Sequence, residues 1–426
     1  MSEEVTLDDF AENSHSNGTQ TDSTELRVGP FEFSLPPEWD TASLSEACEN
    51  KDGDRVPVKK SKRESMNGEI PYYGASGQID SVDDFLFDER LLLLAEDGAN
   101  LLTRSSPIAY IIEGKSWVNN HAHVLKPNEG HDIYYLSEFL ELLDYEPFVA
   151  GTAQPKLTQN SMGFLRVPKP SLSEQRKIAT VLYTVDRAIE KTEEIIEQTK
   201  RVKTGVSQHY FEDYDTIRRE ENPESVEMVE LSNLVDFKPG KAWKTDNLSE
   251  EGLKVVRISN LTGEKDDYWR YNGDYEERRV IEAGDLLFSW AGMKSSIGVH
   301  IYRGEKALLN QHIYNLEPKS SIGRKYLYYY LDYRMSDLYS LSQGGAVQIH
   351  LTKDIIERIL IPKVSPEKQE SIVAHLSEID NALQNEITRK NRLKRLKRGL
   401  MQDLLSGTVR TTDTNIEIPE EITQHG

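Results

Sequence analysis

Two stretches of the chain carry the same helical signature. Over 171–212, apolar residues fall at Ile178, Leu182, Val185, Ile189 and Ile196. Over 365–407 they fall at Ile372, Leu376, Ile379 and Leu383, then at Leu393, Leu396, Leu400 and Leu404. Spacings of four and three place each set on one stripe, the seam of a coiled coil. Ser171 is placed as an N-cap with Glu174 three residues on, the pattern of a capping box. Ser365 is the matching N-cap, and Pro366 fills the first helical position, where a missing N–H costs nothing. Each helix would span roughly 55–60 Å at 1.5 Å per residue, too long to fold into a small core. The spacing predicts that the two helices pair with each other; a surface helix on a globular domain is the alternative. Thr192 and Thr199 interrupt one seam, and Glu386 and Lys390 the other. Polar residues there fix register at a cost in stability.

Outside the helices the pattern is mixed. Positions 107–112 and 121–125 read as strands, and 132–145 as an amphipathic helix. Positions 254–258, 286–290 and 298–302 read as strands, and 323–342 as a Tyr-rich helix. Strands and helices do not alternate cleanly, so an α+β fold is expected rather than a doubly wound sheet.

The chain is built twice. Shifted by 194 positions, 151–211 aligns with 345–405 without a gap and with 17 identities in 61 positions. Gly151, Gln154, Leu157 and Thr158 fall on Gly345, Gln348, Leu351 and Thr352. Asp186 falls on Asp380, Lys200 on Lys394 and Lys203 on Lys397. Upstream the match is weaker: Leu92, Leu93 and Gly98 fall on Leu286, Leu287 and Gly292, and His121 on His312 at a slightly smaller offset. The halves differ most where a recognition surface would need to differ.

Charge changes the picture twice. The 426 residues hold 51 Lys and Arg against 72 Asp and Glu, a net of −21. That balance argues against a nucleic-acid binder. However, residues 1–50 carry −11 and 411–426 carry −4, which leaves only −6 for the body. The polar, acidic first two dozen residues and the stretch from Thr411 are expected to be disordered. One cysteine, Cys48, leaves no intramolecular disulfide, and no apolar run approaches a membrane span, so a reducing cytoplasm and no membrane are expected.

Catalytic motifs are mostly absent. Neither a phosphate loop nor a dinucleotide-binding Gly motif occurs. His121 and His123 form an isolated His-x-His that reads as structural. Asp97, Glu113 and Lys115 loosely resemble a nuclease metal site, but the repeat does not preserve them; no metal site and no catalytic residue are expected. Basic residues do occur among aromatics. Lys59, Lys60, Lys62 and Arg63 precede Tyr72 and Tyr73, and Lys238, Lys241 and Lys244 surround Trp243. Seven of the ten residues from Arg389 to Arg398 are basic and are placed to face phosphates. Such residues neutralise phosphates or read base edges. A solvated basic face or an interdomain salt-bridge network explains each cluster equally well.

Several elements, in order, resemble the specificity (S) subunit of Type I restriction–modification systems over about 35–408. They are Leu35-Pro36-Pro37-Glu38-Trp39, then Leu44-Ser45-Glu46, and Ile70-Pro71-Tyr72-Tyr73-Gly74. Gly151-Thr-Ala-Gln154 and Gly345-Ala-Val-Gln348 follow, each with Leu-Thr after it, and Glu174-Gln175 with Ile178-Ala179. The second copy has Lys368 in place of Glu174. The resemblance implies two target-recognition domains separated by two long helices that pair as an antiparallel coiled coil. It divides the chain into a disordered acidic tail (1–30), domain 1 (31–170), helix 1 (171–212), domain 2 (213–364), helix 2 (365–407) and an acidic tail (408–426). It implies a non-catalytic subunit that reads a bipartite sequence in double-stranded DNA. Methyltransferase (M) and restriction/motor (R) subunits would be its partners and would carry S-adenosylmethionine, Mg and ATP. Expected DNA contacts are Lys59, Lys60, Lys62, Arg63, Arg104 and Lys156 in the first domain. In the second they are Lys241, Lys244, Arg257, Lys294 and His350. A coiled-coil scaffold without sequence-specific DNA binding is the alternative.

Overall fold

The computed structural model describes residues 25–28, 31–151, 154–217, 226–243, 248–319, 322–340 and 349–423. Contacts divide the chain into two compact units, 1–191 with 390–426, and 192–389.

The first unit opens with β1 (Asp40–Ser43), β2 (Cys48–Asn50), α1 (Lys60–Arg63), β3 (Ile70–Gly74) and β4 (Gly77–Val82). Then come β5 (Phe87–Asp88), β6 (Leu91–Ala95), β7 (Ala109–Ile112), β8 (Lys115–Val118) and β9 (Ala122–Pro127). After them follow α2 (Ile133–Leu142), β10 (Lys156–Leu157), β11 (Arg166–Lys169) and the long α3 (Leu172–Ile217). One sheet runs β2-β9-β6-β7, all antiparallel. A second runs β4-β3-β8-β5, with β3 and β8 parallel. All five residues of β6, Leu-Leu-Leu-Leu-Ala, are buried, because both faces of this central strand are covered. Period-two alternation sends Leu92 and Leu94 into the core with Leu136, Phe139 and Leu140 of α2. Leu91 and Leu93 pack on the other face with Val118 and Val124.

The second unit repeats the plan. Its elements begin with β12 (Met228–Glu230), β13 (Val235–Pro239), β14 (Leu253–Val256), β15 (Trp269–Tyr271) and β16 (Val280–Ile281). Next are β17 (Leu286–Ser289), β18 (Gly298–Ile301), β19 (Ala307–Leu309) and β20 (Ile313–Pro318). They are followed by α4 (Arg324–Ser340), β21 (Leu360–Pro362) and the long α5 (Pro366–Leu405). The antiparallel sheet is β13-β20-β17-β18; the other contains β15-β14-β19-β16, with β14 and β19 parallel. The fold is α+β, as the irregular order of strands and helices predicts.

The long helices run through Gly205 and Gly399. Ser171 and Ser365 each accept the backbone N–H three residues on, at 3.3 Å, so both act as N-caps. In the first unit, Ile178 and Leu182 of α3 share the core with Met401, Leu404 and Leu405 of α5. In the second, Ile372 and Leu376 of α5 share the core with Phe211 of α3. Ile189 is buried, and Val185, Ile379 and Leu383 are half-buried. The pairs Asp186–Lys397 and Lys203–Asp380 make the pairing antiparallel in both units.

Two expectations need correction. Glu174 does not complete a capping box at Ser171. Its carboxylate is buried and accepts from Arg410 Nε (2.7 Å), Arg410 Nη2 (2.9 Å) and Trp39 Nε1 (3.2 Å). Ser43 and Glu46 do form a capping box, at the short helical turn after β1. The stretch after Thr411 is not disordered through residue 423. Lys177 donates to the carbonyls of Thr411, Thr412 and Thr414, and Arg90 to that of Glu421. A short helix, α6 (Glu420–Thr423), buries Ile422 in the core of the first unit. Residues 1–24 and 424–426 lie outside the described residues.

One half-buried histidine contributes a pH dependence. Burial pushes the His300 imidazole on β18 down to about 4. The neutral ring is favoured in the fold, so its contribution is present above about 6.5, the unfolded value, and is lost as pH falls through 4. Between pH 7 and pH 4.5 this costs the second unit about 2 kcal/mol. In denaturant unfolding at those two pH values, His300→Gln should lose less stability on acidification than the parent. Equal losses would contradict the assignment.

Candidate nucleic-acid interface

The Ile-Pro-Tyr-Tyr-Gly element is β3, and it seats the first basic cluster. Tyr72 is buried and its hydroxyl accepts the Val58 N–H at 3.1 Å. The Arg63 guanidinium lies 4.6 Å from the Tyr72 ring centre and pairs with Asp80 at 2.8 Å. That hydrogen bond holds the Asp80 carboxyl below its ordinary value. Arg63 therefore anchors α1, while Lys59, Lys60 and Lys62 are exposed beside it. Lys60 reaches Glu64 only at 4.0 Å, and both are exposed, which holds neither in place.

Arg104 is also committed. Its backbone is left-handed, with φ of 50°, and its guanidinium donates to the carbonyls of Glu141 and Leu143 at the end of α2. A cation there meets the unsatisfied carbonyls and the negative end of the helix dipole. In the second unit, Arg257 pairs with Asp267 at 2.9 Å and stacks over Trp269 at 4.6 Å. Lys241 lies 5.3 Å over Trp243, whose Nε1 donates to the Leu309 carbonyl. Lys294 is exposed and lies 5.3 Å over Tyr339. Lys244 lies outside the described residues, as does Gly345 to Gln348.

Lys156 and His350 occupy matching places in the two units. In each, the segment after the recurring Gln docks on the end of the central strand. Leu157 N–H donates to Glu96 O at 2.8 Å, and Leu351 N–H to Trp290 O at 2.9 Å. The backbone is the same and the chemistry is not. In the first unit, Lys156 pairs with Glu96 (3.0 Å), which also accepts from Arg55 (2.6 Å). Asp52 accepts from His123 Nδ1 (2.6 Å), Gln159 (2.8 Å) and Val124 N–H (2.8 Å). In the second unit, Trp290 stands in place of Glu96, with the rings of His312 and His350 both 4.9 Å away and that of Tyr314 at 5.9 Å. Burial, then His350, lowers the pKa of His312.

Asp52, Glu96 and His123 bring three potential metal-ligand atoms within 4.8 Å. The protein's own cations already fill this cluster. Arg55 bonds Glu96 and lies 3.3 Å from Asp52. His123 Nε2 lies 2.9 Å from the Leu157 carbonyl and Nδ1 2.6 Å from the Asp52 carboxylate, so both ring nitrogens are already engaged by the protein. His123 thus ties β9 to β10, and His121 pairs separately with Asp97 at 2.9 Å. Asp97, Glu113 and Lys115 do not act together: Glu113 pairs with Arg90, and Lys115 lies over Phe85.

Sequence patterning misses three arrangements: the Arg55 network, the Glu174–Arg410 pair, and the inward turn of Lys397. Lys397 belongs to the basic run 389–398, but it points at Asp186 and Glu138 rather than outward. Arg392, Arg395 and Arg398 of that run are exposed.

This duplicated arrangement has relatives. Residues 36–201 and 223–397 each match the Type I restriction modification DNA specificity domain, so the chain belongs to that family. It is 28% identical over 362 residues to a putative type I restriction enzyme specificity subunit of Haemophilus influenzae, covering 82% of this chain and 89% of the relative. It is 24% identical over 416 residues to the MjaVIII specificity subunit of Methanocaldococcus jannaschii, covering 89% and 95%. Its fold is similar to the crystal structure of a Type I restriction–modification S subunit from M. genitalium, with a TM-score of 0.59 at 16% identity over 86% of this chain and 96% of that one. Among the described residues, no helix is long and apolar enough to cross a membrane.

Proposed function

We propose that this chain is the DNA sequence-specificity subunit of a Type I restriction–modification complex. It is not an enzyme by itself. Each unit reads one half of a bipartite target in double-stranded DNA, and α3 with α5 sets the distance between the halves. This parallels dimers whose symmetry matches spaced half-sites. Methyltransferase subunits and a restriction/motor subunit supply the chemistry, with S-adenosylmethionine, Mg and ATP bound on them; flipping of the target base also falls to the methyltransferase. The observation that carries this reading is a repeated backbone with unlike side chains at matching places: Glu96 and Trp290, Lys156 and His350, His123 and Tyr314.

The DNA contacts divide by what their side chains already touch. Lys59, Lys60, Lys62, Lys241 and Lys294 meet phosphates, while Lys156 and His350 lie where the two units diverge; Lys244, outside the described residues, is assigned to the DNA from the sequence alone. Arg63 is committed to Asp80 and Tyr72 beside those lysines, Arg104 to the end of α2, and Arg257 to Asp267 and Trp269, so these three seat their own loops.

Lys59, Lys60 and Lys62 changed together to Ala should weaken binding to all sequences alike. The slope of log affinity against log salt should become shallower by up to about 3. His350→Ala should change base preference in one half-site only. Binding of the assembled complex to duplexes randomised in each half-site tests both. Indifference of the parent complex to sequence would favour the scaffold reading instead.

A further inference from the structure

Lys397 Nζ on α5 lies 2.7 Å from Asp186 of α3 and 3.0 Å from Glu138 of α2. Lys203 Nζ on α3 lies 2.9 Å from Asp380 of α5 and 3.4 Å from Asp332 of α4. Every member of one triad falls on its counterpart in the other at the repeat offset of 194: Glu138 on Asp332, Asp186 on Asp380, Lys203 on Lys397. Each lysine therefore joins both long helices to the peripheral helix of one unit. Both lysine side chains are about four-fifths buried, at 19% and 20% exposure. Burial works against their charge, but the facing carboxylates outweigh it and raise both pKa values. The rings of Tyr328 and Tyr329 further enclose Lys203, at 5.9 and 5.7 Å. Other pairs on α3 are different. Arg187–Glu190 and Lys200–Glu197 link one helix to itself with both partners more than half exposed. Such pairs contribute little.

We propose that Lys203 and Lys397 are positioning residues that fix each recognition unit against the helix pair and so restrict the half-site gap the chain accepts. The inference rests on the reading of α3 and α5 as a spacer. An ammonium between two carboxylates on different helices holds three elements at one point. A neutral side chain of similar length removes the cation that ties the peripheral helix to the pair. Asp332 and Asp380 are then left facing each other, and Glu138, which burial and Asp186 already push up to about 7, takes up a proton in place of its lost partner; in both triads the tie to the peripheral helix is gone. The recognition surface then keeps its chemistry but loses its fixed seat.

The test uses the assembled methyltransferase complex and a set of targets with the two half-sites held constant and the gap varied one base pair at a time. The parent should methylate one gap strongly. Lys397→Met and Lys203→Met should each raise methylation at gaps one base pair longer or shorter, relative to the preferred gap, by about tenfold, the ratio that 1.4 kcal/mol represents. Lys397→Arg and Lys203→Arg should keep the parent's selectivity. Glu138→Gln and Asp332→Asn keep the link between the long helices and remove only the peripheral arm. They should relax the gap as well, and they decide the matter if the Met variants do not fold. Parent-like gap selectivity in the folded neutral variants would overturn the inference. Chains with one turn removed from both long helices, run in the same assay, separate the two readings. If their preferred gap does not move, the spacer reading fails; if it moves while the neutral variants stay parent-like, only the triad inference fails.

Discussion

Removing one turn, four residues, from the middle of both α3 and α5 should shorten the preferred gap between half-sites by one to two base pairs. Four residues of α-helix rise about 6 Å. DNA advances about 3.4 Å per base pair, so the lost length corresponds to just under two steps. The recognition units are untouched, so the half-site sequences should stay the same. Methylation at the parent gap should fall at least tenfold. The continuous helices make this a clean experiment: α3 has 46 residues and α5 has 40, and the apolar seam positions sit in both. Methylation of a panel of gap lengths reads the result directly. A shortened protein that still prefers the parent gap would contradict the spacer reading.

Glu174→Ala should cost the first unit about 2 kcal/mol, because it leaves the buried Trp39 indole N–H without its acceptor and takes from Arg410 a two-point, charge-assisted partner. The carboxylate is 3% exposed. It accepts both a two-point bond from Arg410 and the Trp39 indole N–H. Without it, Arg410 retains only Glu38, which is exposed, and its guanidinium loses the buried partner over Trp39. The segment from Arg410 to Thr423 should then loosen, because its remaining ties include only modest ones: Lys177 to three carbonyls, Arg90 to one, and the packing of Ile418 and Ile422. Denaturant unfolding gives the stability change, and hydrogen exchange over 409–423 reports the loosening. Glu64→Ala, which removes an exposed partner of Lys60, should change stability by less than about 0.5 kcal/mol. Equal stability of the Glu174 and Glu64 variants would refute this role for the C-terminal segment's ion pair.

How far the sequence reveals these features depends on their range. The long helices are legible because one period repeats over many turns and both N-caps are local. Of the two central strands, the second is legible: 286–289 is an apolar run too short for a helix. Glu174 misleads because Ser-x-x-Glu looks like a local signal, whereas its partner Arg410 lies 236 residues away. The C-terminal stretch misleads because acidic composition hides two well-placed residues, Ile418 and Ile422, that reach the core. Among the basic residues, composition cannot separate Lys59, which points outward, from Arg63, which is held by Asp80 and Tyr72. The repeat is the most informative feature. Its offset alone sets Lys203 opposite Lys397. The acids that complete the triads are Glu138 on α2, 259 residues before Lys397, and Asp332 on α4, 129 residues after Lys203, out of reach of any local pattern.

Whether this chain chooses the DNA sequence that a partner methyltransferase modifies is decided by mapping methylated adenines across the genome of cells with and without the chain, in the presence of the methyltransferase. The expected result is one bipartite motif with a fixed gap, methylated only when the chain is present. Methylation that is the same in both cells, or that follows no sequence when the chain is present, would contradict it.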